Sequence, residues 1–208
     1  NHSLMAGEVL IMLLRVSVEN YKSFDKKEEL SLLSSSKIQT NKSHRVKIKQ
    51  TNILKNAVVY GANASGKSNL VKAIAFIKSV LIEGLPVNLG NDFCRNNLEN
   101  QDRESVFELQ FTVEDKFYAY GFSAILDKRE ITEEWLFELM QDGSAHNLFL
   151  REKAGQKGMT FNLSIHPSIL PYRNKNQRFR PHWRLLQKQR TEMVVRPIFP
   201  YVLTSSRS

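Results

Sequence analysis

The sequence predicts an α/β domain carrying an antiparallel β meander, and three patterns along the chain carry that prediction. A short apolar, β-branched run, Ala57-Val58-Val59-Tyr60, leads into a glycine-containing turn and then into apolar residues at helical spacing, Leu70, Ile74, Ile77 and Leu81. Upstream, Leu14, Val16 and Val18 alternate with Arg15, Ser17 and Glu19, the period of two of a half-buried strand. From residue 105 onward that period returns in successive runs divided by turn residues, as in a chain of hairpins.

In chain order, residues 1–11 begin with Asn and show no periodic pattern, so they read as a leader or an expression remnant. The first strand begins at Leu14, and Asn20-Tyr21-Lys22-Ser23-Phe24 breaks its alternation as a loop. Leu30 and Leu32 hint at a second strand, and the polar stretch Ser34 to Asn52 reads as a connection. The run from Ala57 to Tyr60 is then expected to be a strand buried on both faces, followed by a helix of about three turns that Gly84 and Pro86 end.

In the meander, Phe107, Leu109, Phe111 and Val113 alternate up to a turn at Glu114-Asp115, and Tyr118, Tyr120 and Phe122 alternate back towards Leu126. Asp127-Lys128-Arg129 turns the chain again. Ile131, Glu133, Trp135, Phe137 and Leu139 share one face of a third strand, and Gln141-Asp142-Gly143 makes the next turn. Asn147 to Arg151 and Met159 to Ile165 add two more strands, and the aromatic residues throughout read as packing rather than as a base-stacking platform.

A length of 208 residues suits one domain, or one with an appendage. The single cysteine, Cys94, excludes an intrachain disulfide, so a reducing, cytoplasmic setting is expected. The apolar run Val9 to Leu14 is too short to span a bilayer and lacks the flanks of a signal peptide, so no membrane partner is expected. The net charge of +9 is lopsided: residues 172–208 hold nine basic side chains against the single acid Glu192. Five of the six prolines fall after residue 166 and no glycine follows Gly158, which marks a compositional boundary near residue 170. The organisation expected is therefore a leader over 1–11, a domain over 12–170 and a basic, proline-rich tail over 171–208.

Gly61-Ala62-Asn63-Ala64-Ser65-Gly66-Lys67-Ser68 satisfies G-x-x-x-x-G-K-Ser/Thr, the phosphate-binding loop (P-loop), and has the required strand pattern before it and helix pattern after it. Gly61 and Gly66 permit backbone conformations that let successive N–H groups turn inward around an anion. The helix starting near Lys67 adds unpaired N–H groups and its positive dipole end. Lys67 is placed to reach the β- and γ-phosphates, and Ser68 to offer its hydroxyl to a bridging Mg2+ ion. Asn63 and Ser65 read as loop-shaping, with a direct phosphate contact left open. The guanine-specifying Asn-Lys-x-Asp string is missing, since Asn41-Lys42-Ser43-His44 and Asn174-Lys175-Asn176-Gln177 both lack the aspartate; ATP is therefore the expected nucleotide.

Two strings then resemble the opening of the ABC-like ATPases related to SMC, RecF and OLD proteins, commonly called AAA family ATPases. They are Leu14 to Phe24 and Val58 to Leu70, with softer likeness in Phe107-Glu108-Leu109-Gln110-Phe111, Tyr120-Gly121-Phe122 and Glu133-Glu134-Trp135-Leu136. The resemblance covers roughly residues 12–165. It implies the N-terminal lobe of an ABC-type P-loop NTPase head, with the phosphate-binding set running through Asn69. It also implies that the loop after the first strand lies beside the nucleotide, so Asn20, Lys22 and Phe24 join the candidates; on its own, Lys22 reads as a solvated cation. Pairing of two heads, as a homodimer, and a role in a DNA- or RNA-directed repair or phage-defence system are further implications.

Other family elements are not found after the loop. No run of four apolar residues ends in Asp-Glu, the acid that holds magnesium and polarises water; the nearest, Ala124-Ile125-Leu126-Asp127, reads as a hairpin turn. Neither the Ser-Gly-rich signature nor a switch histidine is present, and catalytic residues cannot be named. The chain thus reads as the incomplete front half of such a machine, with little turnover expected alone. The tail is either an aberrant ending or a basic arm, where Arg173, Arg178, Arg180, Trp183 and Arg184 suit phosphate contact and stacking. Two functions follow: an ATP- and Mg2+-binding ATPase fragment, or a non-catalytic nucleic-acid adaptor that binds through the tail.

Overall fold

A computed structural model describes residues 10–35, 37, 40–86, 89, 92–154 and 160–165. The expected tail, and with it the stacking and phosphate-contact candidates between Arg173 and Arg184, lies outside the described residues, as do residues 1–9.

Seven strands form one sheet in the order β2-β1-β5-β6-β7-β8-β9, and every pairing in it is antiparallel. β1 is Ile11–Glu19, β2 Glu28–Ser31, β5 Ser105–Val113, β6 Lys116–Ile125, β7 Glu130–Leu139, β8 Ala145–Ala154 and β9 Thr160–Ile165. A separate hairpin, β3 Arg45–Ile48 and β4 Thr51–Leu54, pairs with itself, and the helix α1 spans Lys67–Glu83. A helix and a sheet packed on one another fit the α/β expectation, and the meander from residue 105 follows the expected turns.

The core lies between α1 and one face of the sheet. Val16 and Val18 of β1, Phe107, Leu109 and Phe111 of β5, and Tyr120 and Phe122 of β6 bury there against Ala73, Phe76, Ile77, Val80 and Leu81 of α1. The helix runs 17 residues, longer than the three turns expected, and its buried side is centred on Ala73, Ile77 and Val80, with Leu70 and Ile74 on its margin. Gly84 closes it at φ 86°, its N–H donating to the carbonyl of Val80. Phe76 joins the layers, its ring 5.0 Å from Phe107 and 5.4 Å from Tyr21.

The register slips between Leu13 and Arg15, a β-bulge that turns Leu14 to the other face of the sheet. There Leu14 packs with Ile48 and Ile53, joined by Met12, Val46 and Phe117. The hairpin β3–β4 thus covers the end of the second face, where the sequence pattern shows only a polar connection. Its strands are four residues each, too short for their alternation to stand out.

On β7 the buried residues are Glu134 and Leu136, while the face carrying Ile131, Glu133, Trp135, Phe137 and Leu139 is half-buried. Glu134 faces Arg151 of β8 at 3.0 Å and accepts the Tyr120 hydroxyl at 2.7 Å, so this buried carboxylate is paired and hydrogen-bonded. On the opposite face the Trp135 ring lies over Gly121, and its indole N–H donates to Glu108 at 3.3 Å.

One expectation fails outright. Ala57 to Tyr60 forms no strand, and Val58, Val59 and Tyr60 are 67%, 47% and 88% exposed. β-branched composition supplies the propensity, but a strand also needs a neighbour for its N–H and C=O groups, and none of the described strands pairs with it.

Candidate functional site

The chain between β4 and α1 arrives at the helix through Gly61 to Gly66, and the local conformation follows from residue type. Ala64 takes φ 65° and Gly66 φ 91°, two left-handed residues that fold the loop back over the start of α1. Gly66 is the N-cap and, having no side chain, leaves the first helical N–H groups without a side-chain cap; the first turn also contains no acid. The amides of Asn69 and Leu70 both donate to the Gly66 carbonyl, at 2.9 and 3.1 Å. The result is a positive helix end facing the loop, with the Lys67 ammonium added to it.

The Lys67 ammonium donates to the carbonyls of Gly61 and Ala62, at 2.7 and 2.6 Å, and reaches the Ser65 hydroxyl at 3.3 Å. Lysine, loop carbonyls and helix start are therefore gathered into one turn of chain. Asn63 and Ser68 lie on it, both exposed. A Cβ on Gly61 would stand 2.6 Å from the Ser65 hydroxyl oxygen, and one on Gly66 3.0 Å from that of Ser23, so both positions are close-packed, and at Gly66 the left-handed backbone favours glycine as well.

The loop after β1 forms the neighbouring wall. Tyr21 and Phe24 exchange both backbone hydrogen bonds at 2.9 Å, a tight turn that puts Ser23 and Phe24 against the loop. The Ser23 hydroxyl accepts from the side-chain amide of Asn69 at 2.9 Å, and the Phe24 ring lies beside Gly66. Two clefts open here. One of about 600 Å³ is lined by Ser23 to Lys26, Glu28, Ala64 and Ser65, and one of about 320 Å³ lies between β2, Val59 to Gly61 and Ser65 to Lys67. Volumes of this order suit small-molecule ligands.

Of the three loop candidates, only Phe24 lines these clefts. Asn20 is fully buried; its amide donates to the carbonyls of Asn100 and Arg103, at 2.8 and 2.9 Å, and its oxygen accepts the Cys94 N–H at 3.1 Å. Lys22 pairs with Asp92 and lies over the Tyr21 ring. The Tyr21 hydroxyl is pushed well above its ordinary pKa, by burial first and by the Asp92 carboxylate second, so it stays protonated. These contacts fix the loop to the segment before β5 and so hold Ser23 and Phe24 in place. Ser23 and Glu28 are lining residues that the sequence does not single out: Ser23 touches a residue 46 positions away, which no local pattern signals.

Residues 57–187 match the family described as "AAA domain, putative AbiEii toxin, Type IV TA system". The chain belongs to this family. The AAA domain is a nucleotide-binding ATPase domain, and its matched span opens at the exposed run before the loop and crosses the compositional change near residue 170. No curated protein matches the chain. Among the described residues, no helix is long and apolar enough to cross a membrane.

Proposed function

We propose that the AAA domain binds ATP with Mg2+ at Gly61 to Asn69, as part of an ABC-like head of the SMC, RecF and OLD group acting in a nucleic-acid-directed repair or defence system. The observation that carries this reading is the combined donor set at the start of α1: uncapped helical N–H groups, no acid in the first turn, and Lys67 folded onto the loop. That set suits a polyphosphate and not a cation.

In this reading the amides of Ala62 to Lys67 hold phosphate oxygens, and Lys67 exchanges the Gly61 and Ala62 carbonyls for the β- and γ-phosphates. Ser68 supplies a hydroxyl to Mg2+, which when bound neutralises charge on the phosphates. Phe24 and Ser23 line the space where the nucleoside extends, while Asn69 supports the loop through Ser23. Asn20 and Lys22 position this wall. Head pairing would complete the site for turnover, and a cytoplasmic location suits the reading.

Thermal melting tests it. At one hundred times its dissociation constant, MgATP stabilises a protein that binds it only when folded by about 2.7 kcal/mol. The parent chain is expected to show that shift and Lys67→Ala to lose it. A parent that melts identically with and without MgATP refutes the assignment.

A further inference from the structure

Residues paired across an antiparallel ladder point to the same side, so the register sorts the side chains of the large sheet into two faces. The core face takes α1. On the outer face Glu19, Val106, Ser123, Glu133 and Glu152 form one row across β1, β5, β6, β7 and β8. Glu108, Gly121, Trp135 and Leu150 form the row beside it. The hairpin β3–β4 reaches the far end of this face, around Leu14, Met12 and Phe117, and leaves these rows open. Trp135 and Leu150 are half-buried and belong to neither apolar cluster.

The charge on these rows is almost all of one sign. Glu19 has Arg103 at 3.9 Å, and Glu108 accepts from the Trp135 indole and the Gln110 amide. The side chains of Glu104, Glu133 and Glu152 make no hydrogen bond or ion pair among the described residues. The Glu133 carboxyl is pushed above its ordinary pKa, by burial first and then by the Glu152 and Glu104 carboxylates, so these three groups lie close enough to repel one another. Among the described residues no three acidic, histidine or cysteine side chains could hold a metal ion, so a point cation does not answer this charge. On the same face Asn147, which pairs with Phe137, has a buried side-chain oxygen without a donor. An extended chain of cationic N–H donors meets both needs.

The sequence contains such a chain. Residues 172–208 carry nine basic side chains and one acid, five of the nine between Arg173 and Arg184. The last described strand, β9, ends at Ile165, and its Ser164 pairs with Leu150 on the row of Trp135 and Glu108. From β9 to β5 is four strand spacings, about 19 Å, and the eight residues from Ile165 to Arg173 span up to about 26 Å. We propose that the basic tail from Arg173 to Arg184 docks on the outer face of its own sheet, with its guanidinium and ammonium groups on Glu104, Glu133 and Glu152. The docked tail covers Trp135 and Leu150, and the contact does not involve the phosphate loop.

Limited trypsin digestion of the full chain, timed at the bonds after Arg173, Lys175, Arg178 and Arg184, tests this. Replacing Glu104, Glu133 and Glu152 together by Gln is expected to speed these cuts roughly 3- to 100-fold over the parent, about 1.4- to 5-fold for each exposed ion pair lost. That ratio should fall towards one between about 0.1 and 1 M salt, as the screening length drops from about 10 to about 3 Å. Glu83→Gln with Glu114→Gln, which removes charge elsewhere, should leave the rate at the parent's. Cutting after Lys128, in the exposed turn between β6 and β7, reports on the fold itself and should not change in any variant. The proposal is overturned if the triple variant's tail is cut at the parent's rate, if the ratio ignores salt, or if the Glu83 and Glu114 changes act as strongly. Equal acceleration at Lys128 overturns it too, since the tail is then freed by loosening of the fold. Protection that grows with protein concentration makes a second copy the donor of the tail and likewise overturns it.

Discussion

Gly66 concentrates the demands of the loop in one residue. Its backbone sits at φ 91°, and an added Cβ would meet the Ser23 hydroxyl oxygen at 3.0 Å and the Phe24 ring at 3.6 Å. Ser23 is itself engaged by Asn69 and Phe24 is held in the turn, so neither yields freely. Gly66→Ala is expected to cost about 1–2 kcal/mol, the penalty for an L-residue in left-handed backbone, read as a lower denaturant midpoint at unchanged slope. At this scale the sequence is legible where chemistry needs a fixed spacing: both glycines, Lys67 and Ser68 stand out from the motif alone. Asn20 is a candidate neighbour of the nucleotide by resemblance, yet its side chain is spent on four backbone partners, information held in the fold and not in the string.

At the scale of elements, alternation and turn residues make the meander readable, because each of its strands is long enough to repeat the pattern several times. The bulge at Leu14 is invisible for the same reason: Leu14, Val16 and Val18 keep an unbroken period of two although Leu14 points away from the other two. Within the meander, β6 and β7 are locked by the Trp135 ring over Gly121. A Cβ there would fall 2.3 Å from the ring and 2.7 Å from the Phe107 carbonyl oxygen, so relief requires moving both a side chain and a neighbouring strand. Gly121→Ala should therefore destabilise the fold by about 1–3 kcal/mol, the usual cost of overpacking. Chemical denaturation checks this, and a variant as stable as the parent would show that Trp135 swings aside.

For the whole molecule, the unpaired run Val58-Val59-Tyr60 shows where prediction from local pattern ends. Its composition asks for a strand, but the ladder that would satisfy it is a property of chain elsewhere. Segregation of charge behaves likewise: the near-neutral total of residues 1–171 conceals a basic hairpin only because the compensating acids lie on other elements. What the architecture supplies is a rigid sheet and helix from which the loop and its neighbouring wall project, the usual way a fold presents a binding site. The central claim is that this loop holds a triphosphate, and calorimetric titration of ATP with Mg2+ into the full chain measures it most directly. The account predicts binding at one site that is lost in Lys67→Ala. Heats in Lys67→Ala indistinguishable from the parent's, or no heat from the parent, would contradict it.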